Sequence, residues 1–239
     1  MTDTDPFGRA IFDFQRDELE EPLIQRDGDE AHEHPMRENY FGELNSTSGE
    51  RGRWLVSMLE GPLLDIGAGA GRDTLYFQEQ FETVAIEVSE HLVETMRERG
   101  VTDARRADMF ELRGTFERDR FRSALVYGTQ LGLAGSMQGL RRFLGDLAFV
   151  TTSDATAIVD CYDPEREETA DLLGYRADPT PGLAYRVMHF EYDGAIGETL
   201  LFRLFSPDRL REAAVGTGWD VAEIRRSPAT PHYRAALEK

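Results

Sequence analysis

An α/β fold, a doubly wound and mostly parallel seven-stranded sheet with an added β-hairpin, is what the sequence predicts. Three observations carry that expectation. From Leu63 onward, short apolar runs bounded by glycines alternate with helical stretches of 8–14 residues, the mark of βαβ units with right-handed crossovers. Beyond Pro164 the alternation drops to period two around Gly194 and Gly197, a hairpin signature. No internal repeat or low-complexity linker divides the 239 residues, a length that suits one full α/β core.

The elements follow in order. Residues 1–45 are polar and irregular, with Pro6, Pro22 and Pro35 breaking any long helix. Ser46 to Glu60 reads as a helix, with Ser48 as N-cap, Trp54, Leu55, Met58 and Leu59 at helical spacing, and Gly61-Pro62 as the stop. Leu63–Ile66 is a buried strand. Helix Asp73–Gln80, strand Thr83–Ile86, helix Ser89–Arg99 and a short strand at Ala104–Ala107 come next. Strand Arg122–Tyr127, helix Met137–Val150 and strand Ala155–Cys161 continue the rhythm. Tyr185–Tyr192 and Glu198–Phe205 form the hairpin. Ser206-Pro207 opens a helix with proline in its first turn, Gly218 closes it, and strands near Trp219–Arg226 and His232–Leu237 finish the sheet.

Composition narrows the class. Hydrophobic residues at 40% and aromatics at 10% argue against a disordered chain. No apolar run approaches the roughly 20 residues of a membrane span, and the acidic N-terminus lacks a basic leader. Cys161 stands alone, which excludes an intramolecular disulfide and a Cys-rich zinc site. A cytoplasmic protein is the expectation. The net charge is −18, from 45 acids against 27 bases, and a single base, Lys239, is lysine. An acidic, lysine-poor surface reads as salt adaptation, because at molar salt the Debye length is only about 3 Å. Charge therefore says little about partners.

The most informative stretch is Leu63-Leu64-Asp65-Ile66-Gly67-Ala68-Gly69-Ala70-Gly71-Arg72. A strand enters a turn with glycine at three alternate positions and leaves as a helix, the expected ligand site of an open α/β sheet. Glu87 ends the next strand, 20 residues after Gly67, where a carboxylate accepts hydrogen bonds from ribose hydroxyls. Asp108 follows the third strand, placed to accept from an exocyclic amine beside the Met109 amide. Each acid alone is an ordinary surface carboxylate. Together, at three successive strand ends, they imply a nucleoside.

The Asp-x-Gly-x-Gly-x-Gly turn, with Ala85-Ile86-Glu87-Val88-Ser89, Ala107-Asp108-Met109-Phe110 and Val126-Tyr127-Gly128-Thr129-Gln130, resembles class I S-adenosylmethionine-dependent methyltransferases of the small-molecule type. The closing pattern, Leu204-Phe205-Ser206-Pro207 then Gly218-Trp219 and Tyr233-Arg234-Ala235, is similar too. The resemblance implies S-adenosylmethionine as cofactor. Asp65 would orient the turn and help hold the methionine amino group, and Gly67, Ala68 and Gly69 would pack on methionine and ribose. Glu87 would bind both ribose hydroxyls, Val88 the adenine face, Asp108 and Met109 the adenine edge. Tyr127 and Gly128 would flank the reactive methyl. Residues 1–45 would form a lid ahead of one methyltransferase domain over 46–239, with 163–205 as acceptor wall.

The acceptor side is less defined. Tyr40, Gln130, Tyr162, His189 and Tyr192 are its candidates, although each aromatic or strand histidine is more often a packing residue. No catalytic base is singled out. His32-Glu33-His34 has the wrong spacing for a metal site, and no metal is expected. A small-molecule acceptor is favoured over nucleic acid. Tyr127-Gly128-Thr129-Gln130 replaces the Asn/Asp-Pro-Pro-aromatic loop of base-methylating enzymes, and no basic stripe with interleaved aromatics appears. Two other readings stay open. A nicotinamide-dependent oxidoreductase shares the glycine turn but places glycine where this chain has Arg72, and a non-catalytic cofactor-binding regulator would keep the same turn.

Overall fold

The computed structural model describes residues 5–42 and 49–239; Ser48, expected as an N-cap, lies outside them. The elements in chain order are α1 (Pro6–Gln15), β1 (Ile24–Asp27), β2 (Glu30–Glu33), a π-helical turn (Arg37–Phe41), α2 (Gly49–Met58), β3 (Leu63–Ile66), α3 (Arg72–Phe77), β4 (Thr83–Glu87), α4 (Glu90–Glu98), β5 (Ala104–Arg106), α5 (Leu112–Thr115) and β6 (Phe121–Val126). They continue with α6 (Met137–Val150), β7 (Thr151–Tyr162), β8 (Tyr175–Ala177), β9 (Leu183–Tyr192), β10 (Ala195–Ile196), β11 (Leu200–Phe205), α7 (Pro207–Ala214), β12 (Asp220–Arg226) and β13 (His232–Glu238). Among the described residues no helix is long and apolar enough to cross a membrane.

The main sheet has seven strands in the order β12-β13-β7-β6-β3-β4-β5. β3 pairs in parallel with β4 and β6, β4 with β5, and β6 with β7; β13 runs antiparallel to both neighbours. The chain moves outward from β3 through β4 and β5, then returns to β6 on the other side of β3. That reversal makes the carboxyl ends of β3 and β6 the topological switch point, where ligands of open α/β sheets bind. Leu63, Leu64 and Ile66 are fully buried, and each contributes about 1.5–3 kcal/mol by leaving water. α6 covers one face with Leu140, Phe143, Leu144, Leu147 and Val150. Its N-cap Ser136 accepts from the Gly139 amide, satisfying one orphan donor of the first turn.

The N-terminal segment is more ordered than its sequence suggests. Pro6 begins a helix, at a position where a missing N–H costs nothing, and Asp5 caps it by accepting from the Gly8 amide at 2.9 Å. β1 and β2 form a hairpin, and β1 joins β9 antiparallel. β9 also pairs with β8, β10 and β11, so it is the centre of a second, antiparallel sheet. The expected hairpin is thus larger than predicted. β1 is half-buried and β2 wholly exposed, so neither carries the apolar alternation that marks a strand. Ala10, Ile11, Leu23, Met36, Leu92, Met188, Phe190 and Tyr192 form one apolar cluster between α1, α4 and the inner face of this sheet.

Candidate functional site

The turn after β3 is built on glycine for a physical reason. Gly67, Gly69 and Gly71 have φ of +67°, +60° and +76°, the left-handed region where a Cβ is strained. Space forbids one as well. A Cβ at Gly67 would sit 2.5 Å from the Gln130 side chain, and one at Gly71 2.7 Å from Val101. The Gly67 and Ala68 amides donate to the Ile86 carbonyl at 3.0 and 3.3 Å, which ties the turn to β4.

At the end of β4 the Glu87 carboxylate faces this turn, accepting from the Gly69 amide at 2.8 Å and the Val88 amide at 3.2 Å. Burial pushes Glu87 up to about 7, with the two amides opposing and Asp5 assisting. Val88 beside it is 59% exposed, an apolar surface left open at the strand end. Asp108 is exposed and caps the 3₁₀ turn Met109–Glu111 by accepting from Phe110 at 2.8 Å, while Met109 is buried. Asp65 lies beneath the turn, only 3% exposed, and accepts from the Thr74 hydroxyl at 2.6 Å. Its carboxylate anchors α3 to β3.

Burial, and then the negative charge of Asp73, push Asp65 up to about 7. A carboxyl whose folded value is raised stabilises the fold fully below its unfolded value, and this contribution is lost as pH rises through the folded value. Asp65→Asn keeps an acceptor for Thr74 and removes the charge. It is expected to raise stability at pH 8 by about 2 kcal/mol while changing little at pH 5, as read by chemical denaturation at both values. Equal effects at both would contradict it.

A π-helical turn closes over the glycines. A Cβ at Gly69 would lie 3.1 Å from the Tyr40 ring. Arg72 donates to the Asn39 carbonyl at 2.7 Å, and Arg99 donates to the carbonyls of Tyr40 and Ala70. Two guanidinium groups thereby fasten the turn Arg37–Phe41 to the loop beneath it. The Tyr40 hydroxyl lies 3.1 Å from His34 Nε2. Burial raises the Tyr40 pKa and lowers that of His34 to about 4, with Arg186 adding to the second effect. Both groups are neutral at pH 7.

The opposite wall hangs on Asp160, fully buried in β7. Its carboxylate accepts from the Gly128 and Thr129 amides at 3.1 and 2.6 Å and lies 2.7 Å from His232 Nε2. This fixes a loop in which both Gly128 and Thr129 have positive φ. The His232 ring stands edge-on to Tyr127 and Tyr162 at 6.0 and 5.5 Å. Arg234 donates to the Tyr127 hydroxyl at 3.3 Å, and the Arg186 guanidinium lies 5.7 Å from the Tyr162 ring.

The structure therefore brings Asp65, Gly67, Ala68, Gly69, Glu87, Val88, Asp108 and Met109 to one edge of the sheet. Tyr40, Tyr127, Gly128, Gln130 and Tyr162 line that edge. Two expected acceptor residues lie elsewhere. His189 sits on the outer face of β9, 2.9 Å from Glu191, on the side of the strand opposite Met188 and Phe190. Tyr192 donates to Asp13 at 2.9 Å with Arg9 over its ring, and this packs α1 on β9. His34, Asp160, Arg186 and His232 were missed. Asp160 and Arg186 had a signal: each is a charged residue interrupting an apolar strand face. Among the described residues no cluster of three or more His, Cys, Asp or Glu side chains is arranged to hold a metal.

A glycine turn at the switch point of a sheet ordered β5-β4-β3-β6-β7-β13-β12 defines a Rossmann-like architecture, and solved structures narrow it: this is the fold of S-adenosylmethionine-dependent methyltransferases. A methyltransferase of this kind from Bacteroides fragilis, solved with S-adenosyl-L-homocysteine, matches at TM-score 0.78 and 24% identity over 98% of this chain and 94% of its own. One from Clostridium acetobutylicum matches at TM-score 0.58 and 12% identity over 74% and 82%. An amino pentose methyltransferase from Micromonospora echinaspora, solved with S-adenosylmethionine bound, matches at TM-score 0.54 and 15% identity over 74% and 82%. No protein-family model matches the sequence, and no curated protein matches it.

Proposed function

We propose that this chain binds S-adenosylmethionine and transfers its methyl group to a small-molecule acceptor by in-line displacement. The carrying observation is the convergence of the positive-φ glycine turn, Glu87 and Asp108 at three successive strand ends beside the switch point. The fit is chemical as well as topological. Glu87 offers acceptor oxygens for a ribose diol, Val88 an open apolar face for a purine, and Gly67 and Gly69 a backbone that can be approached closely because neither carries a Cβ. The fold shared with the Bacteroides fragilis and Micromonospora echinaspora enzymes supports the reading, and the amino pentose specificity of the latter supports a small acceptor.

When bound, the cofactor supplies an electrophilic methyl on a sulfonium that is already a good leaving group. The chain's part is then mainly positioning and exclusion of water. Tyr40, fastened by Arg72 and Arg99, covers the turn from one side. Tyr127 and Gly128, held through Asp160, border it from the other. Isothermal titration with S-adenosylmethionine and S-adenosylhomocysteine at high salt tests the proposal. Saturable binding of both is expected. Binding of neither, or of a reduced nicotinamide dinucleotide instead, would sink it.

A further inference from the structure

We infer that the methyl acceptor carries a carboxylate and that Arg186 binds it. The inference deepens the proposed function and rests on it. β9 alternates Ala184, Arg186, Met188, Phe190 on the face turned toward α1 and the glycine turn, and Arg186 is the charged residue in that series. The other arginines of this sheet are neutralised: Arg26 by Glu191, Arg176 by Asp27 and Arg203 by Asp178, at 2.9, 2.7 and 2.8 Å. Among the described residues no carboxylate lies within ion-pair distance of Arg186. Its Nε donates to the Leu173 carbonyl at 3.0 Å, and one terminal nitrogen contacts the Met188 sulfur at 3.8 Å. Those contacts fix the plane of the guanidinium and leave the other terminal nitrogen to donate.

What surrounds it is neutral. Arg186 lies against the Tyr162 ring, its charge acts on His34, and His34 in turn bonds Tyr40 over the glycine turn. Tyr162 meets His232, which shares Asp160 with the Gly128–Thr129 loop. The cation thus stands at the far end of one chain of contacts that begins at the proposed site of methyl transfer. Burial already lowers the Arg186 pKa, so the guanidinium is poorly solvated and unsatisfied as a charge. A half-desolvated guanidinium selects an oxyanion, with which its planar fork matches in geometry. One guanidinium on that wall balances one negative charge, which favours a carboxylate over a phosphate dianion. The ring of Tyr162, and beyond His34 that of Tyr40, put aromatic surface beside that group, which suits a planar or apolar body.

Phenylacetate, phenylacetamide and benzyl phosphate serve as probes of the protein saturated with S-adenosylhomocysteine, with binding read by thermal shift and by ligand-observed NMR. Phenylacetate is expected to bind at least about tenfold more tightly than the isosteric amide, the scale of one charge-assisted hydrogen bond. Arg186→Gln should erase that difference and leave S-adenosylhomocysteine affinity unchanged, while Arg186→Lys, which keeps the charge, should retain part of it. Equal binding of acid and amide, no response to the acid, tighter binding of benzyl phosphate, or a carboxylate preference that survives in Arg186→Gln each overturns the inference while the proposed function stands. Failure of S-adenosylhomocysteine itself to bind overturns both.

Discussion

Glu87→Ala is expected to weaken S-adenosylhomocysteine binding by about 100-fold or more, since a carboxylate accepting two hydroxyls contributes about 1.5–3 kcal/mol per charged hydrogen bond. Glu87→Gln keeps one acceptor oxygen and should lose about tenfold. The pH dependence carries further information. With its folded value near 7, Glu87 is partly protonated at neutral pH, and a ribose diol is best met by the ionised form. Cofactor affinity should therefore rise from pH 6 to pH 8, with proton release detectable by titration in buffers of different ionisation enthalpy. The substitutions at position 87 should abolish that slope. The fold itself should tolerate them, because a carboxyl with a raised folded value stabilises the protein below its unfolded value and loses that contribution as pH rises through 7. At pH 8 removal of the charge costs little. Unchanged affinity in Glu87→Ala at pH 8 would remove Glu87 from the ribose site.

The main sheet is legible because its central strands β3, β4 and β6 are buried along nearly their whole length and its turns are punctuated. Leu63–Ile66 and Met137–Val150 have the same limits in sequence and structure. Ser206-Pro207 and Ser89 announce their helices by capping chemistry alone. The glycine turn was legible because positive φ at three alternate positions leaves few other residues possible.

The second sheet was not. β1 meets β9 across more than 160 residues of sequence, and β2 is exposed along its whole length, so no local pattern reports either strand. Two of the five acceptor candidates, His189 and Tyr192, lie away from the glycine turn for a related reason. They were chosen by residue type, whereas the face of β9 decides which side chains reach the site. Residues 184, 186, 188 and 190 share the inner face, which puts Arg186 inside and His189 outside. Tyr192 keeps the inner face but stands at the strand's far end, against α1. Period two carried that distinction for the strand itself. The identity of the facing element, α1, lies outside any sequence pattern.

Asp160→Ala is expected to destabilise the fold by about 3–5 kcal/mol, the scale for breaking a buried charged network by removing one partner. The carboxylate is fully buried and gathers the Gly128 amide, the Thr129 amide and the His232 ring. Without it, two amides in a strained loop lose their acceptor, and the ring between Tyr127 and Tyr162 loses its orientation. Asp160→Asn retains one oxygen for an amide and should cost roughly half as much. Denaturant titration gives the comparison, provided the slope is the same in all three proteins. Because the same carboxylate holds the loop beside the glycine turn, S-adenosylhomocysteine affinity should fall in Asp160→Asn under conditions where that variant is fully folded. A loss below about 1 kcal/mol in Asp160→Ala would instead mean that the loop is positioned by its own turn geometry, as the typical net worth of a single neutral hydrogen bond would predict.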